Sequence, residues 1–166
     1  MKHALTAAVA MVALSSVASA AQTPTRVNQF NDWGSYSYDS SGSKVCYILS
    51  TPKTKQPASV DHGDIFFLVS QKPSNKKAYE PQVVMGYPMK DGSKVTVDID
   101  GKKFTLFTRG ESAWVENAAE EPQLVAALKS GKAMKVDAVS QRGTATNYTY
   151  SLSGVTAAIN SLANCK

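Results

Sequence analysis

The chain is short of the residues on which metal and nucleophilic chemistry is usually built. Its 166 residues hold two cysteines and two histidines. One histidine, His3, falls in an N-terminal leader, which leaves His62 alone. A two-histidine metal centre within one chain is thereby excluded, and a Ser-His-Asp arrangement has a single residue to be built around. Asp61-His62-Gly63-Asp64 sets two carboxylates beside that histidine, but neighbours along an extended loop point in different directions. No Gly-x-Ser-x-Gly elbow and no thiol-activating surroundings supply a nucleophile. His62 therefore reads as a loop-surface residue, with a catalytic or metal role as the alternative. No glycine-rich loop follows a strand and opens a helix, so a nucleotide cofactor is not expected. The basic surplus is mild, +5 over the whole chain, and only Lys76-Lys77 and Lys102-Lys103 are adjacent lysine pairs. No basic stripe of the kind that grips nucleic acid is present. Internal repeats are absent too, and no apolar run approaches the roughly 18 residues that a membrane-spanning helix needs.

What is present begins with the leader. MKHALTAAVAMVALSSVASA has a short positive start at Lys2 and His3, an apolar stretch from Ala4 to Leu14, and small residues at Ala18-Ser19-Ala20. This is the layout of a secretory signal peptide, residues 1–20, followed by a single domain over residues 21–166. No cysteine stands at the cleavage point to take a lipid anchor. The expected location is the periplasm, the cell surface or the extracellular medium. In such an oxidising compartment, Cys46 and Cys165 read as one disulfide that docks the C-terminus on an early strand, with two free buried thiols as the alternative.

Along residues 21–166 the apolar period is mostly two. An extended lead-in over 21–29 precedes strands at Trp33 to Tyr38 and Lys44 to Ser50, joined by a Ser-Gly turn. Pro52 and Pro57 mark a polar loop reaching Asp64, and Ile65 to Ser70 is a compact apolar run that suits a fully buried strand. Residues 71–80 read as another loop. Strands follow at Gln82 to Tyr87, Lys94 to Ile99 and Lys103 to Thr108, and Asp100-Gly101 between the last two is a strong hairpin signal. Asp98-Ile99-Asp100-Gly101 lacks the later ligands of a calcium loop and is read as the turn. Pro122, the spacing of Leu124, Val125 and Leu128, and Gly131 predict a helix from Glu121 to Ser130. Strands at Lys135 to Ser140 and Thr144 to Leu152 come next, linked through Arg142-Gly143. A last helix after Gly154 carries Val155, Ala158, Ile159 and Leu162.

Seven or eight short strands, two brief helices and frequent turns predict a mainly β protein, an antiparallel sandwich with a helix closing one end. The order of Phe30-Asn31-Asp32-Trp33, the Val45-Cys46-Tyr47 strand, the Lys94 to Phe107 hairpin and the closing Tyr150-Ser151-Leu152-Ser153-Gly154-Val155-Thr156-Ala157-Ala158 resembles the invasion-associated locus B family over most of the chain beyond the leader. The resemblance implies an exported bacterial protein with an immunoglobulin-like β-sandwich and no catalytic residues. Many relatives carry a further cysteine near the position of Ser37, and a phenylalanine where this chain has Val155.

Without catalytic residues, recognition by surface is the expected activity, as an exported envelope protein that binds a protein or a cell surface, with a role in host invasion in view. A small periplasmic hydrolase or metal-dependent enzyme centred on the His62 loop is the alternative. Trp33 beside the Cys46 strand suits the core, and Trp114, in a polar Gly110 to Asn117 connection, suits an exposed contact. Lys72, Lys76 and Lys77 on the loop before Tyr79 form a second candidate surface, able to attract an anionic envelope weakly. The competing reading of that loop is ordinary solvated lysine. No cofactor and no metal are expected.

Overall fold

The alternation of apolar and polar residues is realised as a nearly continuous set of strands. The computed structural model describes residues 23–40, 42–72 and 74–165, and at Lys76 and Lys77 the backbone alone; the expected leader lies outside the described residues. Eleven strands are present among them: β1 Thr25–Phe30, β2 Trp33–Ser40, β3 Ser43–Ser50, β4 Thr54–Gln56, β5 Phe66–Lys72, β6 Asn75–Val84, β7 Lys94–Ile99, β8 Lys102–Arg109, β9 Ser112–Val115, β10 Ala133–Val139 and β11 Ala145–Ser151. Helices α1 (Glu121–Ser130) and α2 (Val155–Ser161) complete the chain. The named strands pair antiparallel in the order β1-β2-β3-β5-β6-β9-β8-β7-β10-β11-β4. This one sheet folds over on itself into a β-sandwich-like fold, in place of two separate sheets.

Local chemistry accounts for the most regular parts. In the β7–β8 hairpin, Asp100 and Gly101 have φ of 50° and 91°, the two positive values a tight two-residue turn demands. Asp98 Oδ1 accepts from Gly101 N at 2.8 Å and Asp100 Oδ2 from Lys132 N at 2.8 Å, so both carboxylates serve the turn and its neighbour. Helix α1 occupies the predicted span, with Pro122 in its first turn and Gly131 N closing it on Ala127 O.

Three expectations are corrected. The compact run Phe66-Phe67-Leu68-Val69 packs on one face only, since Phe67 and Val69 are buried while Phe66 and Leu68 are half-buried. The expected loop over 71–80 is mostly strand, because β5 and β6 pair from Phe66↔Val84 out to Lys72↔Asn75. Pro81 is tolerated inside β6 because β9 pairs only with Gln82, Val83 and Val84. The polar stretch after Pro52 contains β4, which pairs with Asn147, Tyr148 and Thr149 of β11.

The core joins the two ends of the sheet. Trp33 of β2 is fully buried, its ring stands edge-on to Phe67 of β5 at 6.2 Å, and Phe67 in turn meets Tyr150 of β11 at 6.1 Å. Trp33 Nε1 donates to Ser151 O at 3.0 Å, and Lys53 N donates to Thr149 O at 2.7 Å. Gly154, which turns the chain from β11 into α2, has φ of 91°, and a Cβ there would lie 1.9 Å from Phe30 O, so no side chain fits. Helix α2 buries Val155, Ala158 and Ile159, and the turn after it carries Cys165 to Cys46 of β3 in a disulfide with Cα atoms 6.1 Å apart.

Because that bond closes 119 residues of separation, Cys165→Ala should lower stability by about 2–5 kcal/mol. A proteolytic digest of the intact protein should hold the Cys46 and Cys165 peptides together until reductant is added. Alkylation of both thiols without reduction would refute the pairing.

Candidate functional site

Trp114 lies in strand β9, correcting its expected place in a connection. Alternation sends Ala113 and Val115 into the core and Trp114 to the solvent face. Register then builds a row across four strands: Gln82 of β6 opposes Trp114, Trp114 opposes Phe107 of β8, and Phe107 opposes Lys94 of β7. The Trp114 and Phe107 rings stack at 5.8 Å and 28°, and Phe107 is 40% exposed. Lys94 pairs with Glu116 at the margin of this platform. Sequence reasoning missed Phe107 as a surface residue, although its place one step after inward Phe104 and Leu106, in phase with Lys103 and Thr105, is the available signal.

The aromatic cluster expected near the start of the domain divides. Trp33 turns inward, whereas Tyr36 and Tyr38 turn outward against Tyr47 of β3, the Tyr36–Tyr47 rings stacking at 5.5 Å. Ser37 stands directly opposite Cys46 in the β2–β3 register.

Of the three candidate lysines, Lys72 ends β5 and is half-buried, and its Nζ donates to Glu121 Oε2 of α1 at 2.5 Å. Its charge is matched, so it is not a free loop cation. Lys76 and Lys77 are strand residues of β6, and their side chains are outside the described part of the structure.

His62 is not on the surface either. It is 5% exposed, its Nε2 donates to Pro57 O at 2.9 Å, and its Nδ1 is hydrogen-bonded to Tyr148 Oη at 2.8 Å. From Tyr148 the contacts continue to Tyr87 Oη at 2.9 Å and on to Thr146 Oγ1 at 2.7 Å, and Thr146 donates to Ala138 O at 3.2 Å. Sequence reasoning missed this chain because its members come from three distant segments that only the folded sheet brings together. Both ring nitrogens are hydrogen-bonded within the protein, one to a backbone carbonyl and one to a tyrosine hydroxyl. No group of three or more potential metal ligands gathers among the described residues. No described helix is long and apolar enough to cross a membrane.

Burial pushes the Tyr148 hydroxyl above its usual value of 10.0, with the bond to Tyr87 adding to the rise and Thr146 opposing it. Tyr150 rises for the same first reason, reinforced by Tyr148 and Tyr87, and its hydroxyl has no hydrogen-bond partner among the described residues. Tyr47 is raised by burial and by Tyr36 and Tyr38.

Comparison with known proteins adds two findings. Residues 33–163 match the profile of the invasion associated locus B protein family. The crystal structure of invasion associated protein b from Bartonella henselae is similar in fold, with a TM-score of 0.61 at 17% identity, covering 81% of this chain and 92% of that one. No curated protein matches the chain.

The raised tyrosines fix the sign of an alkaline effect. Above about pH 10 the unfolded chain loses phenolic protons that the folded chain keeps, so stability should fall as pH rises through that range. Melting curves at pH 8 and pH 11 should show the drop. Tyr150→Phe should make it shallower, and should leave stability at pH 7 unchanged or higher, because a buried hydroxyl without a partner costs about 1–3 kcal/mol. An unchanged pH slope in Tyr150→Phe would refute this assignment.

Proposed function

The chain belongs to the invasion associated locus B family, and from that premise we propose that it is an exported bacterial envelope protein that works by non-catalytic binding to a protein or a cell surface. The carrying observation is the Gln82-Trp114-Phe107-Lys94 row, which presents two stacked aromatic rings to solvent on a rigid sheet. Large aromatic side chains lose little conformational freedom on binding and are the usual anchors of protein interfaces. Gln82 and the Lys94–Glu116 pair supply a polar margin to that anchor.

Against the hydrolase alternative stands the burial of His62, whose ring is held between the Pro57 carbonyl and the Tyr148 hydroxyl and not by a carboxylate and a serine or cysteine nucleophile. The leader MKHALTAAVAMVALSSVASA and the Cys46–Cys165 bond support export, since disulfides persist in oxidising compartments. The family's name points to invasion of host cells as the setting. Lys76 and Lys77 add a weak attraction to anionic envelope surfaces, screened by salt beyond about 8 Å at physiological ionic strength.

Fluorescently labelled domain should bind the surface of host or bacterial cells saturably, and Trp114→Ala should weaken that binding by about 2 kcal/mol, roughly thirty-fold in Kd. Circular dichroism should show the variant folded. Equal binding by wild type and variant would overturn this reading of the platform. Separately, Lys76→Gln with Lys77→Gln should reduce co-sedimentation with anionic vesicles at low salt and make no difference at high salt. If the double variant sediments like wild type at low salt, the lysine contact is refuted.

A further inference from the structure

A concave site lies around His62, apart from the Trp114 platform. It is a cleft of about 430 Å³ between the 60–62 loop, Tyr87-Pro88 and the turn from Ser140 to Thr146. Small-ligand sites begin at about 300 Å³.

The cleft is held rigid from several sides. Gln141 N donates to Pro88 O at 2.9 Å, and Lys90 N to Val139 O at 3.0 Å, fastening the β10–β11 turn to the segment opposite. Gly86 lies so close to the His62 loop that a Cβ there would approach His62 O and Asp64 N at 2.5 Å. The floor is the hydroxyl chain of Tyr87 and Thr146, with His62 fixed behind it. A site ordered before its ligand arrives avoids the entropy of ordering at binding.

The charges on its walls are the informative feature. Exposed Arg142 lines the cleft and has no ion-pair or hydrogen-bond partner among the described residues, while exposed Asp61 accepts only from Gly63 N, at 2.9 Å through Oδ1. The two do not form one of the ion pairs found among the described residues. An incoming anion would meet Asp61, and a cation would meet Arg142. A neutral polyol satisfies both, because each hydroxyl donates to a carboxylate and accepts from a guanidinium or amide. The Tyr87 ring, Pro88 and Val60 offer apolar surface for the C–H face of such a molecule.

We infer that this cleft binds a neutral sugar residue at the end of a glycan, with Asp61 as hydroxyl acceptor, Arg142 and Gln141 as donors and Tyr87 as the apolar wall. The site is separate from the Trp114 platform, so it stands or falls independently of the binding reading above.

The test is NMR titration of the labelled domain with two probes, an N-acetylglucosamine tetramer of the cell-wall type and lactose of the host-surface type. Saturable shifts at Tyr87, Gln141 and Arg142 are expected with at least one of them, at a Kd on the order of 1 mM. The probe that binds identifies the source of the glycan. Asp61→Asn keeps an oxygen for Gly63 N yet removes the charge, and it and Arg142→Ala should each weaken binding at least tenfold. Trp114→Ala should leave it unchanged. No saturable shift with either sugar would overturn the inference, as would wild-type binding by both cleft variants or displacement of the sugar by sulfate or magnesium.

Discussion

The rest of the structure depends on how one eleven-stranded sheet is closed over its own core. A long antiparallel sheet twists, and it must bring its two ends together or leave an apolar face in water. Here the closure is made at Trp33, which fills the space between β2, β5 and β11 and donates its indole N–H to Ser151 O. Asp32, next to it, accepts from Ser50 Oγ through its carbonyl and pairs with Lys53 through its carboxylate, which that contact holds below the usual carboxylate range. A buried aromatic with its polar atom satisfied stabilises the contact and fixes its geometry together.

That closure separates the surfaces available for function. The platform of Trp114 and Phe107 lies on the solvent face of the central strands, while the His62 cleft is formed by loops and a turn held to one another. Behind the cleft, His62, Tyr148, Tyr87 and Thr146 hydrogen-bond one another in a chain. A buried histidine left unbonded would be costly, and the chain of Tyr148, Tyr87 and Thr146 is what makes its burial tolerable. The hydroxyls and charges that remain at the mouth are those suited to binding a neutral ligand.

Legibility in the sequence followed the range of the interaction involved. Asp100-Gly101 named its hairpin because the turn conformation is a property of those two residues, and Pro122 with the Leu124, Val125, Leu128 spacing named α1 for the same reason. Strand β4 was hidden because its three polar residues have no periodicity, and they become a strand only where β11 offers its edge. Trp114 was misplaced for a similar reason, since β9 is four residues long and owes its existence to β6 and β8 on either side. His62 looked exposed because a short Asp- and Gly-rich loop is usually solvated; its burial comes from Pro57, Tyr148 and Tyr87 converging from elsewhere.

The amino-acid sequence by itself determined the β class, the two helices, the local turns and the family resemblance, because these rest on side-chain period and on residues adjacent in the chain. Tertiary structure alone decided which aromatics face water, that Lys72 is matched by Glu121, that Asp61 and Arg142 share a cleft, and that His62 is buried. Those outcomes depend on register and on the fold-over of the sheet. A shift of one residue in register exchanges the inner and outer faces of a strand. No local pattern specifies which distant strand supplies the partner.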